Sequence, residues 1–323
     1  MAPSGLACMM RTAFRHEAFL YADADEFLAG TVPFLRDGLE AEEPALVAVG
    51  RSRAKALRGE LGRDGKLVRF IDMEALGRNP ARIIPFWHEF VEDDGDGRNH
   101  PRRGIGEPVW PGRGPAEVDE CQRHESLLNY AFWDGPAWRL LCPYDSAGLG
   151  DEVLAAAHES HACVSGSAAD PDEAAGEDLD PLSCRPFAGV LPRRPADAAA
   201  IGFDRSGLHE ARTFVGGAAR RAGLSSDRTF DLVAAIGELT ANSVMHGGGS
   251  GVLSLWVEAD AMLVEVEDAG RIEAPLTGRL RPAPAQEGGR GVWMANQLCD
   301  LVQIRSGRQG TTVRLHMKLT DRA

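Results

Sequence analysis

The chain has 323 residues, of which 44% are hydrophobic and 26% charged, and a net charge of −13; that is long enough for two domains with separate cores and too acidic for nucleic acid as a main partner. Six scattered cysteines without a C-x-x-C pair point to neither a zinc ribbon nor a disulfide framework, and fit a reducing cytoplasm. The N-terminus lacks a basic stretch followed by a long apolar run and no eighteen apolar residues stand together, so neither export nor membrane insertion is expected.

Over the first 160 residues short apolar runs alternate with longer amphipathic ones, the pattern of strands and helices around a mostly parallel α/β sheet. Strands are expected at 17–21, 45–49 (ALVAV), 67–71 (LVRFI) and 137–142 (AWRLLC), and helices near 23–40, 51–61, 80–92, 115–131 and 150–159. The Gly-, Pro- and charge-rich run VEDDGDGRNHPRRGIGEPVWPGRGP reads as a long loop or short edge strand. A ligand pocket here belongs outside the carboxyl ends of the strands, and His16, Glu17, Trp110, His124, Glu125, Asn129, Tyr144 and Asp145 are its candidate lining, although aromatic side chains are equally at home in a core. His158 and His161, at i and i+3, invite a zinc ion, but the sequence places no third ligand beside them.

From about 165 to 200 the chain turns small, acidic and then Pro-rich, with too little apolar surface to offset the entropy of ordering, and is expected to be a linker. It separates a first domain, 1–164, from a second, 201–323. In the second, helices at 205–222 and 227–245 give way to period-two runs, VLSLWVEA, MLVEVED, DLVQIRS and TTVRLHMKL, with RGVWMANQLC as one more helix. A two-layer α+β sandwich follows.

Four features of this half point to one chemistry. Glu238 and Asn242 stand one helical turn apart, so they share a face. A strand ends in Asp268-Ala269-Gly270, where a carboxylate can accept a hydrogen bond from a ligand that glycine lets approach. EGGRGVWMANQL is a glycine-rich loop entering a helix, whose free N–H groups and positive dipole end suit phosphates, though it lacks the Lys-Ser/Thr of a P-loop. Gly310-Thr311-Thr312 opens the last strand.

Taken in that order, the four motifs resemble the Bergerat-type (GHKL) ATP-binding fold of gyrase, Hsp90, histidine kinases and MutL, and especially its anti-sigma factor serine/threonine kinase branch, over roughly residues 200–319. The resemblance implies ATP and Mg²⁺ as cofactors, Glu238 as the activating base and Asn242 as the magnesium ligand. His246-Gly247 matches the pair that closes this helix in anti-sigma kinases. Asp268 would hold the adenine amino group, Gly270 would admit the ring, Gly289, Arg290 and Gly291 would surround the phosphates, and Thr311 or Thr312 would complete the adenine site. The implied partners are a sigma factor and a STAS-type antagonist phosphorylated on Ser or Thr, and relatives of this fold often form a homodimer.

The sequence also departs from the pattern. Ile272 replaces the second glycine of D-x-G-x-G, the lid shortens to EAPLTGRLRPAPAQE, and Glu287-Gly288 stand where a basic residue often meets the γ-phosphate; Arg279, Arg281 or Arg290 would have to substitute. A degenerate binding module, a simple ATPase and a sensor histidine kinase-like ATPase therefore stand beside the kinase reading, the last resting only on His209-Glu210. HEAFLY, WPGRGPAEV and AAAHESHACV together resemble the MEDS sensory domain over about 14–163, which implies a Rossmann- or RecA-like α/β module sensing an unknown small molecule.

Overall fold

Eleven strands and nine α-helices form among residues 14–93, 100–165, 184–283 and 289–319, which are those the computed structural model describes. They divide into two compact units, the boundary falling between Cys184 and Arg185, with Ala81–Pro85 grouped with the second. Among the described residues no helix is long and apolar enough to cross a membrane.

In the first unit the elements run β1 (Phe14–Tyr21), α1 (Ala24–Glu40), β2 (Ala45–Val49), α2 (Arg51–Leu61), β3 (Val68–Asp72), α3 (Met73–Leu76), α4 (Ile83–Glu92), β4 (Arg102–Gly106), α5 (Pro115–Phe132), β5 (Trp138–Asp145), α6 (Asp151–Ser160) and β6 (Cys163–Ser165). The six strands lie in the order β3-β2-β4-β5-β1-β6, each pair parallel. A parallel strand covered on both faces must be apolar throughout, and β2 is buried at every position. Phe27, Val32 and Leu35 of α1 and Leu57 and Leu61 of α2 pack with Val47, Val49 and Leu141 on one face, each such side chain contributing about 1.5–3 kcal/mol on burial.

The expected loop or edge strand over 91–115 is corrected by β4, which lies in the middle of the sheet between β2 and β5. Composition hid it because its burial is achieved by unusual means. A β-carbon on Gly104 would stand 3.0 Å from both Leu140 and Trp87, so glycine there makes room for the indole. The two arginines are buried with their guanidinium groups satisfied, Arg102 donating to the Phe90 carbonyl at 2.7 Å and Arg103 to that of Phe34 at 2.7 Å and to Glu43.

The second unit comprises β7 (Ala199–Asp204), α7 (Leu208–Ala222), α8 (Ser226–His246), β8 (Ser250–Glu258), β9 (Ala261–Asp268), α9 (Arg290–Leu298), β10 (Leu301–Gly307) and β11 (Gly310–Lys318). An antiparallel sheet in the order β10-β11-β9-β8-β7 forms one layer. The core between it and the helices holds Val215 and Ala219 of α7, Leu232, Ile236 and Leu239 of α8, Ala295 of α9, and Val264, Val266, Val313 and Leu315 of the sheet. Gly223, at φ 91°, ends α7, and the Ser225 hydroxyl caps α8 by accepting from the Arg228 N–H. The sequence reading lacked β7, which follows directly on the Pro-rich run and pairs with β8.

Of the segment expected as a linker, 166–183 lies outside the described residues. Its remainder lies along the second sheet: Phe187 is buried in the core, the Pro192 carbonyl accepts from Arg314 at 2.7 Å, and Arg194 pairs with Glu265 at 3.2 Å.

Candidate functional site

The period of α8 turns Leu232, Ile236 and Leu239 inward and leaves Glu238 exposed and Asn242 half-buried at the border of the core. Gly291, in the first turn of α9, meets them there. A β-carbon on it would lie 2.7 Å from Asn242 Nδ2 and 3.3 Å from Glu238 Oε2, so the start of α9 closes on these two side chains and a side chain at this position would displace the Asn242 amide. Gly289, at φ 76°, precedes that helix, and Arg290 is exposed beside it. The free N–H groups of a helix start thus adjoin a carboxylate and an amide, a combination suited to a metal-bound polyphosphate.

The second part of the site is built on the end of β9. Asp268 Oδ2 accepts from the Ser243 hydroxyl at 2.6 Å and Oδ1 from the Gly270 N–H at 2.8 Å. Each oxygen keeps a further lone pair, so the fixed carboxylate can still receive an amino group. Thr311 donates its hydroxyl to the Gly270 carbonyl at 2.9 Å and lies 2.7 Å from Ser306 Oγ. The half-buried Ile272, where the second glycine is missing, donates its N–H to that same Ser306 at 2.8 Å. Donors and acceptors of these kinds fit an adenine nucleotide with Mg²⁺. His246 is exposed at the end of α8.

Thr312 does not share the face of Thr311. Strand register pairs Thr311 with Asp268 and Thr312 with Glu267, and successive side chains alternate faces, so Thr312 lies on the face away from the helices. A cavity of about 880 Å³ is lined by residues 188–194 together with Glu267, Asp268, Thr311, Thr312 and Arg314. Arg279 is buried and Arg281 exposed, while Glu287 and Gly288 lie outside the described residues. Sequence reasoning missed Ser243, which orients Asp268, and Asn296, whose amide donates to the Gly278 carbonyl at 2.9 Å. A polar residue on the buried stripe of an amphipathic helix was the available signal for both.

The eight candidates of the first unit separate. His16, Glu125, Asn129 and Tyr144 come together on the face covered by α5, where His16 Nε2 is 3.0 Å from Glu125 Oε2 and His16 Nδ1 donates to Asn129 Oδ1 at 3.1 Å. Tyr144 lies edge-on to His161 at 5.7 Å, and His124 is fully buried on α5. Glu17 and Asp145 do not join this group, because each follows one of its members along its strand and so points to the opposite face; Glu17 binds Arg139 at 2.9 Å and Asp145 binds Arg53 at 3.3 Å. Trp110 lies in the loop after β4, stacked under Arg113 at 3.5 Å, and does not join the group.

Burial and the adjacent His161 hold the His16 imidazole below its ordinary value. Burial also works against ionised Glu125, but its contacts with His16 and His161 outweigh this and hold it well below the usual carboxylate range. Burial and the Glu125 charge push the Cys142 thiol up.

At the carboxyl ends of the strands the structure instead gathers Tyr21, Arg53, Glu107 and Asp145. Tyr21 donates to Glu107 at 2.8 Å and Arg53 bridges Glu107 at 3.1 Å and Asp145 at 3.3 Å. Burial raises Glu107 to about 7, against the opposing pull of Arg53. Tyr21, Arg53 and Glu107 come from three separate elements and carry no local motif.

Comparison with known proteins agrees with this division. Residues 15–162 match the MEDS family, the methanogen/methylotroph, DcmR sensory domain, and residues 203–317 match the histidine kinase-like ATPase domain. Among solved structures, the RsbU and RsbW domains of a Mycobacterium tuberculosis protein share 22% identity at a TM-score of 0.30, over 39% of this chain and 33% of that one. The chain thus spans about a third of that structure's length. None of the curated proteins matches the chain.

Proposed function

Because the chain joins a MEDS sensory domain to a histidine kinase-like ATPase domain, we propose that it is a nucleotide-dependent regulator of the anti-sigma kinase type. Its second domain binds ATP with Mg²⁺, and its first, by taking up a small molecule, changes what the second does. The observation that carries this reading is the meeting of Gly291 with Glu238 and Asn242. Bound ATP supplies a transferable phosphoryl group whose charge must be neutralised as it moves. Asn242 would hold the magnesium ion, and Glu238, one turn earlier on the same face, would accept the proton of an attacking hydroxyl. Asp268 receives the adenine amino group beside Gly270, with Thr311 fixing the loop beneath it. The start of α9, with Gly289, Arg290 and Gly291, would hold the phosphates, and His246 would close α8 beside them.

The partners in this reading are a sigma factor, which the ATP-binding domain captures, and a STAS-type antagonist whose Ser or Thr receives the phosphoryl group, all within the cytoplasm. Partner choice follows nucleotide state because a ligand that orders the glycine loop stabilises one surface over another. A second reading, a non-catalytic binding module, draws on Ile272, which takes the place of a glycine and is tied to Ser306.

The test is phosphoryl transfer from labelled ATP to a purified STAS-type antagonist, with the full chain and with Glu238→Ala. Transfer by the wild type and none by a variant that still binds Mg-ATP is the expected result. Equal transfer by both removes Glu238 as the base, and nucleotide binding without transfer by the wild type moves the binding module into first place.

A further inference from the structure

Four side chains far apart in sequence meet inside the first unit. His16 of β1, Glu125 of α5, Cys142 of β5 and His161, just past α6, place one ligating atom each within 4.8 Å of all the others. His16 Nε2 and His161 Nε2 lie 3.0 and 3.3 Å from Glu125 Oε2, and Cys142 Sγ lies 3.3 Å from His16 Nε2. The edges of a tetrahedron built with metal–nitrogen, metal–oxygen and metal–sulfur bonds of zinc length are about 3.3–3.6 Å. The Glu125–His161 and His16–Cys142 separations reach the lower end of that range, the His16–Glu125 separation lies about 0.3 Å below it, and all four atoms lie within 4.8 Å of one another.

The hydrogen-bond pattern around the group indicates what it faces. The His16 Nδ1 proton goes to Asn129 Oδ1 at 3.1 Å, and Asn129 is itself held because its amide donates to the Ser160 carbonyl at 2.7 Å. The His161 Nδ1 proton goes to the Ala157 carbonyl at 2.8 Å. Both imidazoles are thereby fixed as the tautomer whose Nε2 lone pair points inward, toward an acceptor-only carboxylate. Both Glu125 oxygens and His161 Nε2 are buried and make no hydrogen bond among the described residues. Three acceptors converge with only the weak thiol donor of Cys142 among them, an arrangement that repels itself unless a proton or a metal cation lies between them.

We propose that His16, Glu125, Cys142 and His161 bind a divalent transition metal of the zinc class, each through one atom. A thiolate, a carboxylate and two neutral imidazoles balance the charge of a divalent ion, so the filled site is neutral and stable in an apolar surround. Binding releases the Cys142 proton to solvent and forms the metal–sulfur bond, with no change of oxidation state. The Asn129 side chain and the Ala157 carbonyl are the outer partners that such histidines require. All four ligands are at most 3% exposed, so four protein atoms close the shell and the ion ties β1, β5, α5 and the end of α6 into one frame. His158, the i−3 neighbour that the sequence offered as a co-ligand, is exposed and takes no part.

The experiment uses the purified full chain, stripped with a chelator, dialysed against Zn²⁺ or Co²⁺, and assayed by elemental analysis and absorption spectroscopy. One metal per chain is expected, with a thiolate-to-cobalt charge-transfer band and the intense visible bands of tetrahedral cobalt. Cys142→Ser should lose the charge-transfer band, Asn129→Ala should bind about 10–100-fold more weakly, and His158→Ala should match the wild type. Folded wild-type chain that retains no stoichiometric metal overturns the proposal without reference to any variant. So does a cobalt spectrum that Cys142→Ser leaves unchanged, or one that His158→Ala abolishes.

Discussion

The two units place their polar chemistry in opposite ways. In the parallel unit His16, Glu125, Cys142 and His161 are enclosed between a sheet face and two helices, whereas in the antiparallel unit Glu238, Asn242 and Asp268 lie at an open border between helix starts and strand ends. An enclosed polar group must be satisfied by its neighbours or by an ion, because water cannot reach it. A border group can remain available to a ligand. The first arrangement therefore couples chemistry to stability, and the second separates them.

Substitutions can break that contrast, beginning where the effect is largest. Glu125→Ala removes the charged member of a buried set, and urea unfolding should show the first unit losing about 3–5 kcal/mol; a loss within experimental error would mean the cluster is not a coupled unit. Glu107 gives a pH test. Its folded carboxyl holds its proton more tightly than an ordinary one, with a value raised from 4.5 to about 7. Its stabilising contribution is full below pH 4.5 and is lost as pH rises through 7, a change of about 3 kcal/mol at most. The stability difference between wild type and Glu107→Gln, followed from pH 4 to about 8, should vary over that window, and a flat difference would remove the assignment.

At the border, Gly291→Ala should weaken Mg-ATP binding at least about tenfold, equivalent to about 1.4 kcal/mol, while the melting temperature changes little. Equal losses in both would place Gly291 in the frame instead of the site. The smallest effects sharpen the division between sheet faces. Thr311→Ala, which leaves the Gly270 carbonyl without its donor, should cost about 1 kcal/mol, and Thr312→Ala less than about 0.5 kcal/mol with unchanged nucleotide affinity.

The same contrast explains what the sequence disclosed. Glu238 and Asn242, Asp268 and Gly270, and Gly289 and Gly291 are local pairs on single elements, so spacing alone put each pair on one face or one loop. The cluster of the first unit joins positions 16, 125, 142 and 161, which only a parallel sheet and its crossovers bring together. His16, Glu125 and His161 could be named individually, but Cys142 is indistinguishable in AWRLLC from an ordinary core residue. Strand β4 was misread for a related reason. Its glycines and arginines are loop-like in composition, and their burial depends on Trp87, Phe34 and Glu43, none of them nearby in the sequence. Thr312 needed only the register of β11 on β9 to be separated from Thr311.

Calorimetric titration of Mg-ATP into the full chain and into Asn242→Ala tests the central claim most directly. The account predicts saturable binding by the wild type and loss of Mg-dependent binding in the variant, with both proteins folded. Absence of binding by the folded wild type, or Mg-dependent binding unaffected by Asn242→Ala, would contradict it.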